Sequence, residues 1–142
     1  MGRKLVTKLS NRQCFALTEE DSLKTASEKL HKHNVGVMPV LNKKDESVVG
    51  IISERDLARH IYRDGFKSDL PVSKIMTKNI ISCDLNTSVT ELMEIISSHK
   101  IRHIPIIVNK KLLGIVSIGD IVKHIIEQYK DENQQLRDFI NQ

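Results

Sequence analysis

The chain has 142 residues, with 22 Lys or Arg against 18 Asp or Glu, so its formal net charge is +4. That length makes one domain or two very small ones, and 39% apolar residues spread along it allow a packed core without metal or disulfide. Five aromatics (Phe15, Tyr62, Phe66, Tyr129, Phe139), no Trp and a basic excess interrupted by acids argue against a dedicated nucleic-acid binder and against disorder.

The opening Met1–Val6 lacks the apolar stretch of a signal peptide, and Val6 stands where a myristoylation signal needs Ser or Thr. No apolar run approaches the roughly 18–20 residues that span a bilayer. The expected location is the cytosol. There Cys14 and Cys83, which have no Cys-x-x-Cys or Cys/His metal spacing, are expected to be small, reduced core residues.

A first strand is predicted at Cys14–Leu17. Next comes a helix behind Ser22, where Leu23, Ala26 and Leu30 fall at three- and four-residue steps. Val37–Leu41 and Val48–Ser53 are β-branched runs around a polar turn, and a second helix starts directly after Ser53 and stops at Gly65. A polar join over residues 64–71 leads into the same order again. The strand Ile80–Cys83 precedes a helix behind Ser88 (Val89, Leu92, Met93, Ile96), the strands Ile104–Val108 and Leu112–Ser117, and a helix after Ser117. Continuous to Gln142, that last helix would be roughly 36 Å long. Its broken apolar stripe of Val122, Ile125, Ile126, Tyr129, Leu136, Phe139 and Ile140 suggests a partner, or else packing onto its own domain.

The two halves are the same unit. Asn34-Val35-Gly36-Val37-Met38-Pro39-Val40 recurs as Lys100-Ile101-Arg102-His103-Ile104-Pro105-Ile106 at an offset of 66, and Gly50-Ile-Ile-Ser-Glu-Arg-Asp56 recurs as Gly114-Ile-Val-Ser-Ile-Gly-Asp120 at an offset of 64. The fold class is therefore α/β of the α+β type. Two βαββα repeats, at 6–66 and 67–129, are followed by a helical extension at 130–142. Each repeat is too small to cover its own sheet, so the two should pack sheet to sheet around a pseudo-twofold axis, with a cleft on either side.

The βαββα order, with hydrophobic-Pro-hydrophobic followed by Gly-h-h-Ser-x-x-Asp, resembles the tandem CBS domain, named after cystathionine β-synthase, over roughly residues 6–129. Ile75-Met76-Thr77 and Ile101-Arg102-His103-Ile104-Pro105 add to the likeness, which is to small stand-alone bacterial CBS-pair proteins. The resemblance implies a non-enzymatic regulatory module that binds an adenosine-containing ligand (AMP, ATP or NAD) in the clefts. It also implies a homodimer of four repeats.

On that reading Asp56 and Asp120 hold ribose hydroxyls, because an ionised carboxylate accepts two hydrogen bonds, and Ser53 and Ser117 bond ribose or phosphate. Arg102, Arg55 and His103 offset phosphate charge. Val35, Gly36 and Met38 face the Asp120 half, and Ile101 and Ile104 face the Asp56 half. Gly119 and Arg102 are assigned to the Asp120 site and Arg55 to the Asp56 site. Because Arg102 in one repeat answers to Gly36 in the other, the sites should be unequal.

The competing explanation of Ser-x-x-Asp is a capping box that stabilises a helix without any ligand. It leads to the alternative function, a ligand-free structural dimerisation module. His31 and His33, like His99 and His103, lack a firm shared ligand face, and no nucleotide-loop, zincin or nucleophile-elbow motif is present. Catalysis, a bound metal, a membrane and a nucleic-acid partner are therefore not expected.

Overall fold

A short helix α1 (Leu5–Leu9) opens the computed structural model, which describes residues 5–141. The order continues with β1 (Leu17–Thr18), α2 (Leu23–His33), β2 (Val37–Leu41), β3 (Val48–Ser53) and α3 (Glu54–Asp64). After a 3₁₀ turn at Val72–Lys74 come α4 (Val89–His99), β4 (His103–Val108), β5 (Lys111–Ser117) and α5 (Ile118–Ile140).

The helix starts follow from their serines. Ser22, Ser53, Ser88 and Ser117 each sit in extended backbone and accept a hydrogen bond from the amide three residues on, which satisfies a donor that the first helical turn leaves unpaired. The stops differ in kind. Asn34 (φ 52°) and Lys100 (φ 54°) end α2 and α4 in the left-handed conformation, and Gly65 (φ 69°) ends α3.

In the first sheet β1 pairs parallel with β2, across α2, and β2 pairs antiparallel with β3. The second sheet is the antiparallel pair β4–β5. The predicted strands Cys14–Leu17 and Ile80–Cys83 are corrected here. Only Leu17 of the first lies in a strand, the two-residue β1, and the second survives as a single parallel bridge from Cys83 to Ile106. Cys14 and Phe15, like Ile80 and Ile81, line cavities between the halves, and their backbone joins no ladder.

Each half has its own core, and the halves exchange their opening segments. Leu17, Leu23, Leu30, Met38 and Ile52 pack with Val72 from the inter-repeat join. Leu92, Ile104, Ile106 and Val116 pack with Leu5 and Val6 of α1, at the start of the other repeat. This exchange is the pseudo-twofold relation expressed in packing.

Two glycines permit the close approach. A Cβ on Gly114 would stand 2.9 Å from the Leu9 carbonyl oxygen, and a Cβ on Gly50 would stand 2.4 Å from the Met76 sulfur. The halves also touch through their hairpin loops, where Val48 N–H donates to the Lys110 carbonyl at 3.0 Å and Ser47 bridges Lys111.

α5 runs 23 residues, about 34 Å at 1.5 Å per residue. Along it Ile118, Val122, Ile125, Ile126, Tyr129, Leu136, Phe139 and Ile140 are exposed. The predicted end at Gln142 lies outside the described residues.

Candidate functional site

The strand-to-helix junctions β3–α3 and β5–α5 carry the two acidic residues, and each junction opens on a cavity between the halves. The cavity at Asp56 is about 390 Å³ and the one at Asp120 about 340 Å³, both in the range of small-ligand pockets. They are pseudo-equivalent. Asn79, Ile80 and Ile81 line the first as Gln13, Cys14 and Phe15 line the second, and Ile51, Ser53 and Asp56 answer to Ile115, Ser117 and Asp120. Gly36, Val37 and His103 line both, so the cavities share a wall.

Both Ser-x-x-Asp motifs form complete capping boxes. Ser53 N–H donates to Asp56 Oδ2 at 2.9 Å while Asp56 N–H donates to Ser53 Oγ at 3.1 Å, and Ser117 with Asp120 repeats the arrangement at the same distances. The caps use one carboxylate oxygen and leave the other. At Asp56 that oxygen, Oδ1, has only a 3.8 Å ion pair with Arg59, too long for a hydrogen bond.

At Asp120 the other oxygen is taken. Arg12 Nη1 donates to Oδ1 at 3.0 Å and Nη2 to Oδ2 at 2.9 Å, a bidentate pair, and Nη2 also donates to the Ile115 carbonyl at 3.0 Å. Burial pushes the Asp120 carboxyl up, but the Arg12 and Ser117 hydrogen bonds outweigh it and hold the group below its ordinary 3.8. The same contact raises the Arg12 pKa.

The expected site residues divide as follows. Ser53, Arg55, Asp56 and Ile101 line the Asp56 cavity, and Val35, Gly36, Ser117 and Asp120 line the Asp120 cavity. Arg102 requires a correction. It lines the Asp56 cavity, with Lys100 and Arg55, and Arg12 is the arginine at Asp120. Pseudo-symmetry is the reason: the segment Asn34–Val35 lines the Asp120 cavity, so the matching segment Lys100–Arg102 lines the Asp56 cavity.

Met38 and Ile104 are also corrected, because both are fully buried in the two cores and line neither cavity. Gly119 faces away, along a shallow groove on α5 with Val122 and Ile126. Burial lowers the His103 pKa, with Asp120 and Glu54 opposing and Arg102 reinforcing, so the shared wall carries a neutral imidazole at pH 7.

Arg12, Lys100, Glu54 and Phe15 are among the cavity residues that sequence reasoning missed, with the wall residues Gln13, Cys14, Asn79, Ile80 and Ile81. For Arg12 a signal existed, since it stands 66 residues before Lys78, a second basic residue at the same point of the repeat. Phe15 stacks on His33 with ring centroids 3.5 Å apart, which fixes an apolar edge of the Asp120 cavity. Among the described residues no group of three or more His, Cys, Asp or Glu is placed to hold a metal.

Comparison with known proteins agrees with this architecture. The CBS domain family matches residues 6–63 and 72–127. A mitochondrial CBS domain-containing protein of Arabidopsis thaliana is 35% identical over 127 residues, which is 87% of this chain and 62% of that protein. The crystal structure of a CBS-domain-containing protein from Agrobacterium tumefaciens superposes with a TM-score of 0.76 at 37% identity, covering 83% of this chain and 90% of that one. A CBS domain pair solved in complex with 5′-methylthioadenosine and S-adenosyl-L-methionine has the same fold, with a TM-score of 0.78 at 23% identity over 89% of this chain and 99% of that one.

Proposed function

The chain belongs to the CBS-domain family as a tandem pair, and from that premise we propose that it is a non-enzymatic regulatory module that binds an adenosine-containing ligand first in the Asp56 cleft. The carrying observation is Asp56 Oδ1, an ionisable oxygen at the cavity edge whose partner oxygen alone serves the helix cap. A ribose diol needs such an acceptor.

Arg102, Arg55 and Lys100 stand around the same cavity and can neutralise phosphate, which favours AMP, ATP or NAD over an unphosphorylated nucleoside. Ile51, Ile80, Ile81 and Ile101 supply apolar walls for a base. The bound adenosine compounds of the distant structural neighbour support this ligand class.

A second copy of the chain is the proposed partner, through the exposed apolar face of α5. The cytoplasm is the proposed location, and among the described residues no helix is long and apolar enough to cross a membrane.

The alternative, a structural dimerisation module with empty clefts, has the capping boxes in its favour, since they account for both Ser-Asp pairs without a ligand. Titration calorimetry with AMP separates the two. Micromolar binding that Asp56→Asn weakens supports the sensor, whereas no heat with AMP, ATP or NAD supports the structural module. Asn keeps an oxygen for the Ser53 amide, so the cap survives the test.

A further inference from the structure

The clefts share a motif but not an occupancy. The Arg12 guanidinium lies across the outer edge of the Asp120 carboxylate and engages both oxygens, and Ser117 N–H takes a third acceptor position. A carboxylate offers about four such positions, so two ribose hydroxyls cannot both be accepted while Arg12 stays.

The arginine is also held from elsewhere. Its Nη2 bonds the Ile115 carbonyl, the counterpart of Ile51, which in the first repeat exchanges two backbone hydrogen bonds with Thr77 at 2.9 Å. Arg12 follows α1, and α1 is seated in the second core through Leu5, Val6 and the contact of Leu9 with Gly114. The guanidinium is thus presented to Asp120 by a packed segment and not by a free tail.

We propose that Arg12 is an intramolecular latch on the Asp120 cleft: it competes with a ribose diol for the carboxylate, so this cleft accepts a nucleoside monophosphate only when Arg12 swings away, and it fills at a higher concentration than the Asp56 cleft. This rests on the adenosine-ligand reading and adds an order of filling to it. An internal competitor lowers apparent affinity by the fraction of molecules in which it is displaced.

The test is AMP titration of the full chain carrying Asp56→Asn, which leaves the Asp120 cleft to be read, with and without Arg12→Ala. Removing the latch should tighten AMP binding roughly five-fold, the scale of a half-exposed ion pair. Arg12→Lys, which keeps the charge but not the fork, should give a smaller gain, and Lys78→Ala, the pseudo-equivalent position, none. Cys14 lines this cleft, so the AMP concentration that half-protects its thiol from alkylation should fall by the same factor.

Unchanged or weaker AMP binding in Arg12→Ala overturns the latch while leaving the Asp56 site standing, if wild type binds AMP there. Absence of AMP binding in every chain, wild type included, overturns both. Arg12→Gln gives the same comparison if the alanine variant loses its fold.

Discussion

In the Asp56 cleft one carboxylate oxygen stands outside the helix cap and Arg55, Lys100 and Arg102 line the cavity with Glu54, whereas in the Asp120 cleft both oxygens are engaged by Arg12 and the wall that answers to Lys100–Arg102 is Asn34, Val35 and Gly36. One βαββα unit, used twice, has given one open anionic acceptor and one closed on itself. Duplication fixes where an acidic residue stands. What that residue can bind depends on side chains from the other half, where the repeats diverge.

The largest expected effect breaks this comparison directly. Asp56→Ala should weaken AMP binding by about 1.5–3 kcal/mol, the range for losing hydrogen bonds to a charged group, and Asp120→Ala by less than about 1 kcal/mol because its cleft is already occupied. Calorimetry on both variants reads the difference, and equal losses would make the clefts equivalent.

A second contrast is mechanical. Gly114→Ala would drive a Cβ against the Leu9 backbone and should cost about 1–3 kcal/mol in urea unfolding, because α1 must shift. Gly50→Ala meets the flexible Met76 side chain and should cost less. A larger loss at Gly50 would mean that α1 is not firmly seated.

Arg102→Ala sharpens the assignment of charge. It should lower affinity for AMP by about 1 kcal/mol and leave adenosine nearly unchanged, because the lost contact is to phosphate. Equal losses for the two ligands would remove Arg102 from the phosphate site.

The smallest effect is a pH dependence. Asp120 is held below its ordinary value of 3.8, so the contribution of its pair with Arg12 is fully present above that pH and is lost as pH falls below it. Arg12 is half exposed, so that contribution is below about 1 kcal/mol. The stability difference between wild type and Arg12→Ala should be measurable at pH 7 and shrink as pH falls below 3.8. His103, lowered chiefly by burial, acts in another window: its contribution is present above its ordinary 6.5 and is lost as pH falls below it. His103→Gln should flatten the fall in stability between pH 7 and 5.

Much of this architecture is legible in the sequence. The four serine caps, the apolar steps of α2 and α4 and the hydrophobic-Pro-hydrophobic strands are local signals, and the offsets of 66 and 64 tie them into two equal units. The cleft residues were harder for identifiable reasons. Val37, Met38, Pro39 and Val40 are all buried, so β2 has no alternation to separate a cleft edge from the core, and Met38 was misplaced with Ile104.

Cys14 and Phe15, like Ile80 and Ile81, read as strand residues because cavity wall and ladder share an apolar composition. Motif order alone places Arg102 at the Asp120 cleft, although the offset that pairs its segment with Asn34–Gly36 places it at the other. Arg12 lies outside every motif, and its contact with Asp120 spans 108 positions, a separation that no local pattern carries.

The most direct test of the account is a crystal structure of the full chain grown with AMP at a concentration just sufficient to bind one molecule. AMP is expected in the Asp56 cleft, its ribose on Asp56 and its phosphate toward Arg102, with the Arg12–Asp120 pair intact. AMP in the Asp120 cleft with the Asp56 cleft empty would contradict it.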